Sequence, residues 1–136
     1  MSKKHHVWSQ GQIILASYLS GLIGGCYLLG RNYKKLGQPA AARKSYILGI
    51  LGTILLSTLL FFLPEELFSR IPNSIIPMFC SSIIIAFASY QKKPIKELLT
   101  NGEKRHSYWW CLLISIALLL IQTFLYLLFL WTLIKN

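Results

Sequence analysis

Arg31-Asn32-Tyr33-Lys34-Lys35-Leu36-Gly37-Gln38-Pro39-Ala40-Ala41-Ala42-Arg43-Lys44-Ser45 carries five of the chain's fourteen Lys and Arg residues and no acid. Apolar runs long enough to cross a bilayer lie on either side of it. Cationic side chains enter hydrocarbon only at high cost, so this stretch assigns one side of a membrane to both flanking runs. Gly37 is placed like the residue that closes a helix, and Pro39 like the first residue of the next. The stretch therefore reads as a tight helical hairpin turn whose basic ends project from the membrane.

Working outward, the sequence predicts four spans, at about 11–30, 46–63, 75–91 and 108–134. In the first, Ala16, Ser20 and Gly24 recur at spacing four, with Ser17, Gly21 and Gly25 one position on. Such a smooth face admits a close neighbouring helix. In the second, Gly49, Thr53 and Ser57 supply a matching face, and Pro64 stops the run. Glu65, Glu66 and Arg70 then mark a short amphipathic turn on the opposite surface. The third span holds Pro77, Ser81, Ser82 and Ser89, and Pro94 is expected to end its helix, before a surface turn capped by Gly102. The fourth has Trp109 and Trp110 at one end and Trp131 at the other, an aromatic anchor at each interface.

With 54% hydrophobic and 13% charged residues in 136, the composition is that of an integral membrane protein rather than a soluble domain. The net charge of +10 sits between apolar runs, so it orients the chain and meets anionic headgroups; nucleic acid is not expected as a partner. Four spans with the opening turn inside put both termini outside. The inner segments then hold ten Lys and Arg residues and the outer ones four: Lys3, Lys4, Arg70 and Lys135. On this count the residues facing lipid or a partner are Arg31, Lys34, Lys35, Arg43, Lys44, Lys92, Lys93, Lys104 and Arg105.

The two halves are each a span, a basic turn and a span, with Arg43-Lys44-Ser45-Tyr46 echoed by Arg105-His106-Ser107-Tyr108. That layout fits a parallel internal repeat about the membrane normal. Ile23-Gly24-Gly25-Cys26 has the look of a lipobox, but the basic residues after Cys26 oppose the orientation lipidation requires. Cys26, Cys80 and Cys111 lie in apolar runs and match no zinc spacing. No cofactor is expected.

The spans contain no Asp, Glu, Lys, Arg or His, and away from their ends Gln122 and the Ser and Thr residues are read as the strongly polar groups. The N-terminal segment, with His5, His6 and Trp8, reads as a solvated tail. A lipid-modifying enzyme would need His106, Glu97 and Glu103 to converge. Gly24-Gly25-Cys26-Tyr27-Leu28-Leu29-Gly30-Arg31-Asn32-Tyr33-Lys34 and Lys104-Arg105-His106-Ser107-Tyr108-Trp109-Trp110 resemble a group of small, uncharacterised bacterial four-span inner-membrane proteins. The resemblance implies placement in a bacterial inner membrane and carries no activity. The expected architecture is an all-α four-helix membrane bundle of two helical hairpins in a single domain. The expected role is accessory or scaffolding, non-enzymatic, with homo-oligomerisation or another membrane protein as partner. A small oligomeric transporter or channel is the alternative.

Overall fold

The computed structural model describes residues 6–135. Lys3, Lys4 and His5 lie outside them. The chain is almost wholly helical: α1 (Gln10–Lys35), α2 (Pro39–Phe62), a short α3 (Glu65–Arg70), α4 (Ile75–Thr100) and α5 (Tyr108–Lys135). Two-residue strands β1 (His6–Val7) and β2 (Lys104–Arg105) pair in parallel. α1, α2, α4 and α5 are all long and apolar enough to cross a membrane. The turn of the opening stretch forms as expected, with Gly37 at φ 73° and Pro39 in the first turn of α2.

α1 is not straight. Gly21 sits at φ 68°, ψ −157°, a backbone region open essentially to glycine alone, and there the chain reverses. The contacts demonstrate the reversal. A methyl placed on Gly24 would lie 2.8 Å from the Ala16 carbonyl oxygen, eight positions back, where a straight helix would separate them by ~12 Å. One on Gly25 would lie 2.9 Å from Ser17 Cβ. Trp8 and Asn32 are hydrogen-bonded across 24 positions, ~36 Å along a continuous helix.

α1 is therefore two antiparallel arms, residues 10–20 and 22–35. At ~1.5 Å per residue they reach ~16 and ~21 Å, short of a ~30 Å hydrocarbon core. Neither arm by itself reaches that thickness, so residues 11–30 do not form the single straight helix expected of the first span. Val7 and Trp8 stand beside the basic turns, whereas Lys135 ends the 28-residue α5 some ~42 Å away.

The small residues predicted to receive a neighbouring helix are largely spent inside this reversal. Ala16, Ser17, Ser20, Gly24 and Gly25 are where the two arms press together. The same Gly25 methyl would meet Ile84 of α4 at 2.7 Å. Gly49 of α2 does receive α1, but through Cys26, 2.6 Å from where its Cβ would be. Gly30 receives the Tyr46 ring, and Ser45 Oγ donates to the Cys26 carbonyl at 2.9 Å. Thr53 turns its hydroxyl back to the Gly49 carbonyl.

The folded α1 is the hub. α2, α4 and α5 each pack on it far more than on one another. Of the two expected hairpins, only α1–α2 pairs, the second arm of α1 lying against the first half of α2; α4 and α5 are joined by a basic turn but both lean on α1. The core follows from this: Ile13, Ala16, Leu28, Leu29, Ile84, Ala88 and Cys111 gather around the two arms. No residue of α2 after Gly49, and none of α5 after Ser115, is buried. Beyond the tip of α1 the three long helices present their side chains outward, to the apolar surroundings their hydropathy demands. Pro94 does not end α4, which continues through it to Thr100 and buries Ile95 one residue on. The three cysteines are buried free thiols.

The basic end as candidate functional site

The reversal of α1 brings five pieces of chain to one end: residues 6–9, the last turn of α1, the start of α2, the last turns of α4, and the segment leading into α5. Three buried carboxamides tie all but the start of α2 together. Asn32, fully buried on the second arm, accepts from the Trp8 amide at 2.9 Å and donates to the Trp8 carbonyl at 2.8 Å. Its side chain thus imitates a neighbouring strand. Gln91 of α4 donates to the Leu29 carbonyl at 3.1 Å and accepts from Asn32 at 3.4 Å.

Gln12 closes the other side. With Ser9 it forms a reciprocal capping box at the start of α1, and its amide donates to the His106 carbonyl at 2.6 Å. His106 returns a backbone N–H to the Val7 carbonyl at 3.0 Å, and Cys111 Sγ donates to the Gln12 carbonyl. Polar groups removed from water need such partners, and here each amide serves two segments. The segment read as a solvated tail is instead a clasp: Val7 and Trp8 are buried, at 0% and 3% exposure.

His106 stacks on Trp8, with ring centroids 4.0 Å apart and planes inclined by 14°. His6 lies against it at 5.1 Å. Burial holds the His106 imidazole below its ordinary pKa, and the nearby His6, Lys35 and Arg31 push in the same direction. His106 is thus a structural member of the clasp. It is stacked against an aromatic face rather than turned to headgroups.

Every predicted lipid- or partner-facing cation falls at this end. Arg31, Lys34 and Lys35 close α1, Arg43 and Lys44 open α2, Lys92 and Lys93 lie on α4, and Lys104 and Arg105 form β2. Among the described residues, only Arg70 and Lys135 lie at the other end. Between the clasp and α4 opens a cleft of about 460 Å³, walled by Trp8, Asn32, Gln91, Ile95 and Leu99, with Lys92, Lys96 and Arg105 around it. Lys93 and Glu97 face a second, shallower opening. No group of three or more metal-ligating side chains occurs among the described residues.

Trp8, Gln12, Asn32 and Gln91 escape a reading by charge and hydropathy. Three of the four are carboxamides set within or at the edge of apolar runs, where an unpartnered amide would cost several kcal/mol. That is the signal that marks them as positions with an assigned partner. No family model, curated protein or solved structure matches this chain.

Proposed function

We propose that this chain is a non-enzymatic accessory or scaffolding protein of a bacterial inner membrane, working through a basic cytoplasmic end. The observation that carries the reading is the gathering of ten cations from separated segments at one end of an otherwise apolar molecule. Short cationic segments stay on the cytoplasmic side, where anionic lipid attracts them. The N-terminus is then cytoplasmic and the C-terminus outside, with α2, α4 and α5 crossing and α1 entering from and returning to the cytoplasm. Most of α1's small residues are engaged internally. Contact with a second copy or another membrane protein therefore runs through the outward faces of α2 and α5.

The test pairs topology with association. A fluorescent protein ahead of the N-terminus and alkaline phosphatase after the C-terminus should both be active in cells. A photocrosslinker at Lys93 should capture lipid or protein, and the double change Arg43→Glu, Lys44→Glu should abolish the adducts. An inactive N-terminal reporter, or a monomer without adducts from the basic end, would refute the proposal.

The transporter reading draws on one feature, a helix break inside the apolar zone. Ser17 and Ser81 are buried there without hydrogen-bond partners. Broken helices in membranes line substrate paths in many transporters. Ser82, exposed and bonded to the Met78 carbonyl, does not share that environment. Liposome flux abolished by Ser17→Ala and untouched by Ser82→Leu would favour transport over scaffolding.

A further inference from the structure

We infer that the cleft between the N-terminal clasp and α4 is a binding site for one anionic phospholipid, its phosphate between Lys92, Lys96 and Arg105. This rests on the reading of the basic end as a cytoplasmic, lipid-contacting surface, and it names the site and the ligand. The cleft has about 460 Å³, within the range of specific small-molecule sites. Its walls divide by chemistry. Trp8, Ile95 and Leu99 give an apolar floor, the three cations stand around it, and among the described residues no carboxylate lines it.

Three cations around one opening repel one another and raise the local concentration of an anion. A soluble anion would use only that half of the site, leaving the floor wetted. An amphiphile uses both halves: the phosphate meets the ammonium and guanidinium groups, and the first acyl carbons cover Leu99 and the edge of Trp8 that reaches the cleft. The position suits such a ligand. α4 passes from apolar Ala88 to cationic Lys96 along this wall, so the cleft bridges the depth at which hydrocarbon gives way to headgroups. Gln91 and Asn32, already bonded to each other and to α1, hold the wall in place without competing for the phosphate.

The clasp makes the site conditional on the reversal of α1. Trp8 and Arg105 reach the cleft only because β1 pairs with β2 and Asn32 holds Trp8. Binding and clasp closure are therefore linked, and lipid should protect the N-terminal segment.

The experiment is native mass spectrometry of the full chain in non-ionic detergent, titrated with phosphatidylglycerol or phosphatidylcholine. Wild type should retain one phosphatidylglycerol at least ~10-fold more strongly than phosphatidylcholine, the scale expected of two or three cations at a headgroup. The triple variant Lys92→Gln, Lys96→Gln, Arg105→Gln should lose that preference. A control variant with charge removed at the opposite end of the molecule, Arg70→Gln, Lys135→Gln, should keep it. The single variant Lys96→Gln, with a several-fold loss, covers the case in which the triple variant does not fold. Equal losses in the cleft and control variants would overturn the site, because the preference would then follow net charge rather than position. No preference in wild type would overturn the site and count against the basic-end reading as well. Displacement of the lipid by millimolar inorganic phosphate would overturn the lipid assignment in favour of a free-anion site.

Discussion

Replacing Gly21 by alanine tests the reversal of α1 through the sign of its effect. At φ 68°, ψ −157° an L-residue is strained, at a cost of about 1–3 kcal/mol. The added methyl meets nothing within 4 Å, so no clash contributes and the whole penalty is backbone conformation. Were α1 a continuous helix, the same change would stabilise it by about 0.5–1 kcal/mol, because alanine loses less backbone freedom than glycine. The two geometries therefore differ by ~1.5–4 kcal/mol and in direction. Reversible unfolding in SDS, followed by reaction of the buried thiols Cys26, Cys80 and Cys111 with a fluorogenic maleimide, reads the difference directly. Gly37→Ala is the calibration: it too has positive φ, 73°, and open space, and it should cost about 1–2 kcal/mol. A Gly21→Ala protein as stable as wild type or more so would refute the reversal, most directly if its N-terminal reporter also moved across the membrane.

Asn32→Ala should cost about 2–4 kcal/mol, because it strips partners from the buried Trp8 N–H and carbonyl at once. The same SDS titration measures it, and a loss below ~0.5 kcal/mol would remove Asn32 from the clasp. Acidification should loosen the clasp through His106. Its pKa is lowered in the folded chain, so the unfolded chain takes up the proton more readily. The contribution to stability is complete above about pH 6.5 and declines as pH falls from there toward the folded-state value. The N-terminal segment should become more protease-sensitive at pH 5.5 than at pH 7.5. His106→Gln, which cannot titrate, should flatten that dependence; an unchanged pH profile in this variant would assign it to other groups.

The hairpin turn at Gly37-Gln38-Pro39 is written locally. A glycine that tolerates positive φ and a proline that starts a helix act on their own neighbours, and the turn forms where these residues stand. The basic end is equally legible, because ammonium and guanidinium groups are excluded from hydrocarbon whatever the fold does. The same reasoning fails for residues 10–35. Hydropathy measures how apolar a segment is, and a straight helix and a folded-back pair of arms have the same composition. Small residues every four positions serve either geometry, since both require backbones to come close.

Only the tertiary structure decided between them. Contacts eight and 24 positions apart along α1, and amides supplied by Gln12 and Gln91, hold the reversal closed. None of these pairings is a property of a sequence window. The amino-acid sequence by itself determined that the chain is apolar, helical and basic at its turns. Whether residues 10–35 run straight or fold back depended on one glycine's backbone angles and on the partners that satisfy three buried carboxamides. A buried amide is indifferent to sequence distance and answers only to what lies within hydrogen-bond reach.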